Sequence, residues 1–329
     1  MERYPEEQLT KAATRNGHVA DTGLQQWLST VRSVPETATS PDLESLRLPR
    51  SRGPGPDLYS VRNFQIPSQK AIPVRYYQTR EQSRPLVVYV HGGAFTFGDL
   101  ESHDRTCRRL AVHGDVNVMA VDFRLAPEHP APAAIEDVVD VLRWASNEQS
   151  QINQPTIPVA LAGDSSGGLI AALAANEYIS TGGHVSAVLL ACPNTDLTLS
   201  SPSIRSKGQG WGLSSADLRW FIQQWVQDLE PETLEKYSPL HVELRALPTT
   251  MIAIAEHDPL HDEGAELAKK LNLLGVDVQL LDHEGLVHGF LSLDEVSTAA
   301  EVAGTRMFTL FGQVLHDQLS RSLPRNRGR

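Results

Sequence analysis

A chain of 329 residues, 40% hydrophobic and 21% charged, has the composition of a globular protein, long enough for one large α/β domain with insertions or for two ordinary domains. Its formal net charge of −11 is the opposite of a nucleic-acid binder's basic surplus, so no nucleic-acid partner is expected, and the basic end "RSLPRNRGR" reads as a solvated terminus. No apolar run reaches the roughly 18 residues that span a bilayer, the first residues lack the apolar stretch of a secretory signal, and two cysteines, Cys107 and Cys192, are too few for a disulfide framework. A cytoplasmic protein with free thiols and no membrane partner is the expectation.

Residues 1–55 are polar and rich in Pro and Ser, with one amphipathic stretch, "TGLQQWLSTVRS". The composition changes around "PRSRGPGPDLYS", which places a boundary there. Six short apolar runs follow: 85–90, 116–122, 157–163, 186–191, 249–255 and 276–282. Apolar runs without alternation predict strands buried on both faces, as in a parallel sheet. Helical patterns lie between them: "HDRTCRRLAVHG" with Leu110 and Ala111 inward, "PAAIEDVVDVLRWASN" with Ile135, Val138, Val139 and Leu142 at helical spacing, and "DEGAELAKKLNLLG" closing on Gly275. Strand alternating with helix predicts a doubly wound sheet. Residues 197–240 break the rhythm. They are too long for an ordinary connection and carry one amphipathic helix, "SSADLRWFIQQWVQDL", with Ser214 or Ser215 as its N-cap. They read as an insertion over the sheet that forms a lid with residues 1–55, leaving 56–196 and 241–329 as the core.

The stretch "VALAGDSSGGLIAAL" sets Ser165 and Ser166 between a buried strand and a helix. In a strand–turn–helix, Gly163-x-Ser165-x-Gly167 is a nucleophile elbow, whose sharp turn lifts the central hydroxyl above the sheet. That selects Ser165; Ser166 opens the helix and offers a backbone N–H. A chymotrypsin-type reading of "GDSSGG" requires an all-β chain with His and Asp upstream of the serine, whereas this serine lies mid-chain in an α/β pattern. The run "VVYVHGGAFTFGD" puts His91, Gly92, Gly93 and Ala94 directly after a buried strand, where N–H donors can be held at a developing oxyanion. An acid and a base are then needed in the order Ser, Asp/Glu, His. "EHDPLHDEG" and "HEGLVHGF" both follow strands, where α/β sheets place their chemistry, and supply Asp258 and His288. Two metal motifs compete. His257 and His261 stand four apart, but Pro259 breaks the helix that would align them. His283 and His288 are five apart, which would put them on different helix faces, and Gly285 disfavours a helix. No metal is expected.

Together "HGGAF", "DFRLAPEHPAPAAIEDV", "GDSSGG", "AEHDPLHDEG" and "HGF" resemble the hormone-sensitive-lipase family of α/β-hydrolases over about residues 60–315. The resemblance implies an α/β-hydrolase fold, a mostly parallel sheet flanked by helices with a small helical lid, and a serine esterase without a cofactor. It implies Ser165 as nucleophile, Asp258 as orienting acid and His288 as general base. The oxyanion hole falls to Gly92, Gly93, Ala94 and Ser166, with His91 shaping the loop. Arg124, Glu128 and Asp137 become structural ion-pairing residues. The family usually has Gly at Ala94 and Ala at Ser166. The expected partner is a small ester, of the acetyl type, and the family also forms homodimers. Rival readings are a deacetylase dedicated to one metabolite, a dehydratase like certain plant members, and a ligand-binding receptor like the family member that has lost its catalytic histidine.

Overall fold

The computed structural model describes residues 19–33, 41–49, 52–67, 70–82, 84–147, 158–244 and 247–322. The first 18 residues of the expected N-terminal lid segment, the basic tail from residue 323, and Ile157 of the third expected strand lie outside them.

Eight strands form one sheet: β1 (Ser60–Gln65), β2 (Pro73–Gln78), β3 (Leu86–Val90), β4 (Asn117–Val121), β5 (Val159–Asp164), β6 (Ala187–Ala191), β7 (Thr249–His257) and β8 (Val278–Val287). Their order is β1-β2-β4-β3-β5-β6-β7-β8. The pairings from β4 to β8 are parallel; β1 and β2 join antiparallel at one edge. The longer helices are α1 (Thr22–Ser33), α3 (Asp104–Gly114), α4 (Ala133–Asn147), α5 (Ser166–Ser180), α7 (Ser215–Val226), α9 (His261–Leu273) and α10 (Thr298–Ser322); α2 (Leu43–Leu46), α6 (Pro202–Ser206) and α8 (Pro231–Lys236) are short.

The continuous apolar runs have a direct cause. Successive residues of a strand point to opposite faces, and both faces here are covered. Leu86, Val88 and Val90 of β3 pack with α4 and α5, whereas Val87 and Tyr89 pack with α3 and α10. Leu110 and Ala111 are fully buried on α3, as its pattern requires. β8 differs from its expected burial. It ends the sheet, and Leu280, Asp282 and Glu284 are exposed. Strands β1 and β2 do not show as apolar runs, because β1 is a half-exposed edge and β2 carries the buried Arg75. That guanidinium is neutralised by Glu101 and Asp104. On α7 the Ser214 hydroxyl accepts the Asp217 N–H at 3.0 Å, an N-cap as expected. Helix α1 buries Leu24 and Leu28 in the core shared with α3 and α10, so this N-terminal piece is packed into the body of the protein.

Candidate active site

The strand order brings the two glycine-rich loops together. β3 lies between β4 and β5, and Val90 stands opposite Gly163. The chain leaving β3 through His91, Gly92 and Gly93 therefore starts beside the chain leaving β5 through Asp164 and Ser165. This is a switch point of the strand order, where an open α/β sheet forms a crevice. Ser165 has φ 53° and ψ −124°, a backbone conformation that costs on the order of 1–3 kcal/mol for a residue with a side chain. The turn is held by Ser165 N–H on Ala191 O at 2.8 Å and by Ser165 O, which accepts from Gly168 N–H at 2.9 Å. Gly167 has to be glycine, since a Cβ there would strike the carbonyls of Val90 and His91.

Asp258 at the end of β7 and His288 after β8 reach the same point. Ser165 Oγ lies 2.9 Å from His288 Nε2, and His288 Nδ1 lies 2.8 Å from Asp258 Oδ2. Asp258 is buried, and its Oδ1 accepts the Leu260 N–H at 2.8 Å. A carboxylate only accepts, so Nδ1 carries the imidazole proton and Nε2 is left as an acceptor for the Ser165 hydroxyl. Burial opposes charging of His288. The charge and hydrogen bond of Asp258, helped by Asp164, outweigh it and raise the pKa above the ordinary histidine value.

The loop after β3 corrects one expectation. The Gly92 N–H is donated to Asp164 Oδ1 at 3.0 Å, so Gly92 is not an oxyanion donor. Among the described residues nothing accepts from the N–H groups of Gly93 and Ala94. Ser166 opens α5, where a first-turn N–H has no partner within the helix. Gly93, Ala94 and Phe95 all have positive φ, at 128°, 49° and 66°. The Ser166 hydroxyl accepts the Phe95 N–H at 3.2 Å and so braces this loop. His91 is buried with its ring stacked on Phe123 at 4.3 Å and its Nδ1 2.7 Å from Gly92 O. Burial, then the neighbouring His103, lowers its pKa to about 4, so it is neutral at pH 7.

Asp164 has no role in either motif as read from the sequence, yet it joins the two. Its Oδ1 accepts from Tyr89 OH at 2.6 Å and from Gly92 N–H, and its Oδ2 lies 3.5 Å from His103 Nε2. Burial by itself would raise its pKa; His103, Tyr89 and Gly92 outweigh that and hold it at about 2. The only signal in the sequence is a carboxylate next to the elbow serine, and its partners come from distant segments.

The rival metal pairs are not assembled. His257 lies flat against Trp211, with ring centroids 3.9 Å apart, whereas His261 is held between Asp262 and Asp282. His283 and Gly285 belong to strand β8, not to a helix. Arg124 forms the expected ion pair with Asp137, at 2.8 Å, but Glu128 pairs with Arg47 at 2.7 Å. Arg47 also donates to Thr96 O at 2.8 Å, which ties the N-terminal segment to the loop after β3.

The family model with an alpha/beta hydrolase fold matches residues 87–292. A carboxylic ester hydrolase of Mycobacterium tuberculosis, LipN, is 36% identical over 308 residues, covering 88% of this chain and 81% of that protein. An ethyl acetate hydrolase of Pseudomonas putida is 32% identical over 266 residues, covering 78% of this chain and 83% of its own. Among solved structures, a hyperthermophilic esterase of Pyrobaculum calidifontis superposes with a TM-score of 0.73 at 33% identity, over 79% of this chain and 86% of that one. With the sheet order, the elbow and these matches in agreement, the chain belongs to the α/β-hydrolase fold family, in its hormone-sensitive-lipase-like branch.

Proposed function

We propose that this protein is a serine esterase that hydrolyses short-chain carboxylic esters through an acyl-enzyme. The observation that carries the reading is the unbroken path from Ser165 Oγ through His288 to the buried Asp258 carboxylate. His288 Nε2 takes the Ser165 proton as Oγ attacks the ester carbonyl. Asp258 holds the tautomer and stabilises the imidazolium. The oxyanion that forms is met by the N–H groups of Gly93, Ala94 and Ser166. His288 then protonates the leaving alcohol, and a water it activates releases the acid. Ester hydrolysis is the activity named for the relatives from M. tuberculosis and P. putida. A stopped-flow burst of p-nitrophenol from p-nitrophenyl acetate, one equivalent per chain, is the test. A dehydratase or a receptor gives none. Chelators leave the rate unchanged, because no step uses a metal.

Asp164 is the positioning residue of this scheme. Asp164→Ala removes the acceptor that holds Gly92, and with it the placement of Gly93. A misplacement near 1 Å costs roughly 10²-fold in rate, so kcat falls by about that factor while KM changes little. Asp164→Asn keeps Oδ1 and restores most of the rate. Equal losses in both variants, or a loss confined to KM, would sink this role.

Residues 197–240 and the N-terminal segment are proposed as the lid that limits the acyl pocket. Trp225 of α7 stacks on Phe95 at 4.2 Å, and Phe221 meets Phe97 at 5.8 Å, so the insertion leans on the loop after β3. From α1, Arg32 donates to Gly210 O at 2.8 Å and covers the ring of Trp211. Acetate and butyrate esters are therefore turned over much faster than palmitate esters, as a p-nitrophenyl ester series will show; brisk hydrolysis of emulsified long-chain triglyceride would refute the lid. No helix among the described residues is long and apolar enough to cross a membrane. The two buried, unpaired cysteines support a cytoplasmic setting.

A further inference from the structure

We infer that Cys192, Asp258 and His288 form a binding site for a soft divalent cation, Zn²⁺ or Cd²⁺, and that an ion bound there switches the protein off. The ligand atoms of the three side chains all lie within 4.8 Å of one another. Cys192 leaves β6 with φ 45° and donates its N–H to Ala253 O on β7 at 2.7 Å. That contact fixes it against the strand that leads into Asp258. Its buried thiol sulfur lies beside the Asp258 carboxylate and the His288 imidazole. Thiolate, imidazole and carboxylate are a donor set for zinc-like ions, whereas Mg²⁺ and Ca²⁺ require oxygen ligands. Bonds of about 2.0–2.3 Å around a tetrahedral ion put ligand atoms roughly 3.3–3.8 Å apart. Rotation of the thiol and a small opening of the His288–Asp258 contact close the difference. His288 and Ser165 are partly exposed, so the ion enters from their side.

The proton balance gives the consequence. Without metal the buried group carries one negative charge, on Asp258. On binding, the thiol proton leaves to solvent and the thiolate bonds the ion. The Nδ1 proton is displaced and the imidazole takes one on Nε2. Thiolate, carboxylate and divalent ion then sum to zero. An Nε2 that carries hydrogen cannot accept the Ser165 proton. Fixing the wrong histidine tautomer in a catalytic triad costs about 10⁴-fold in kcat.

The test uses the full chain. CdCl₂ is titrated while the thiolate-to-cadmium charge-transfer absorbance is recorded, and p-nitrophenyl acetate turnover is measured in parallel. Wild type and Cys107→Ser gain the band and lose turnover, and excess EDTA reverses both. MgCl₂ does neither. Cys192→Ser and Cys192→Ala, each normalised to its own metal-free rate, show no band and keep turnover. Inhibition that persists in the Cys192 variants, or a wild type that shows no band, overturns the site. The inhibition arm rests on the esterase reading and the absorbance arm does not, so a protein without esterase activity that still shows the Cys192-dependent band separates the two.

Discussion

Ser165→Ala lowers kcat by about 10⁶-fold, the usual cost of removing a triad serine, whereas Ser166→Ala keeps most of the activity. The two serines are neighbours, but their oxygens do different things. Ser165 Oγ faces His288 Nε2 at 2.9 Å, with its backbone held at a positive φ that turns the hydroxyl away from the helix. Ser166 Oγ is fully buried and accepts the Phe95 N–H. In the proposed mechanism Ser166 serves the reaction through its backbone N–H, which alanine retains. Its loss leaves the Phe95 N–H without an acceptor, a cost of about 1–3 kcal/mol, and that appears as a lower Tm more than as a lower rate. Both variants are compared with p-nitrophenyl acetate under saturating conditions, with thermal unfolding alongside. If Ser166→Ala is as inactive as Ser165→Ala, the elbow has been assigned to the wrong residue.

The parts of the fold that could be read from the sequence are those whose side chains repeat a pattern. Strands β3 to β7, buried on both faces, show as apolar runs, and the cap of α7 shows as a serine before an amphipathic stretch. Edges are harder. In β1 polar and apolar residues mix because solvent touches it, and β8 looks fully buried by its leucines although it ends the sheet and leaves Leu280, Asp282 and Glu284 exposed. The C-terminal α10 is not among the expected helices, though Met307, Phe308, Phe311 and Leu315 bury it against α3. At the site, the residues that stand in recognisable motifs could be found: Ser165, Asp258 and His288. Those that act through pairing could not. Gly92 looks like any glycine of its loop until the β3–β5 register shows its N–H aimed at Asp164. Cys192 carries no motif, and only the sheet brings it to Asp258.

Asp258→Asn lowers kcat by about 10⁴-fold and moves the acid limb of the pH profile to lower pH. The Leu260 N–H, 2.8 Å from Asp258 Oδ1, requires an acceptor at that position. The asparagine carbonyl therefore turns to Leu260, and its NH₂ faces His288 Nδ1. A donor there leaves Nδ1 bare and puts the proton on Nε2, which then cannot act as a base. That tautomer error is the source of the 10⁴-fold loss. The pH effect has the same origin. Activity needs neutral His288, so kcat/KM is low at acid pH and rises as the imidazolium loses its proton. In wild type, burial opposes the charged ring, and the Asp258 charge outweighs it, so the rise falls above the ordinary histidine value of about 6.5. Without that charge, burial acts unopposed by its main counterweight, and the rise shifts down in pH. The profile of kcat/KM for p-nitrophenyl acetate, in buffers spanning both limbs, measures both effects together. A variant with the wild-type plateau, or with its acid limb displaced upward, would remove Asp258 from the mechanism.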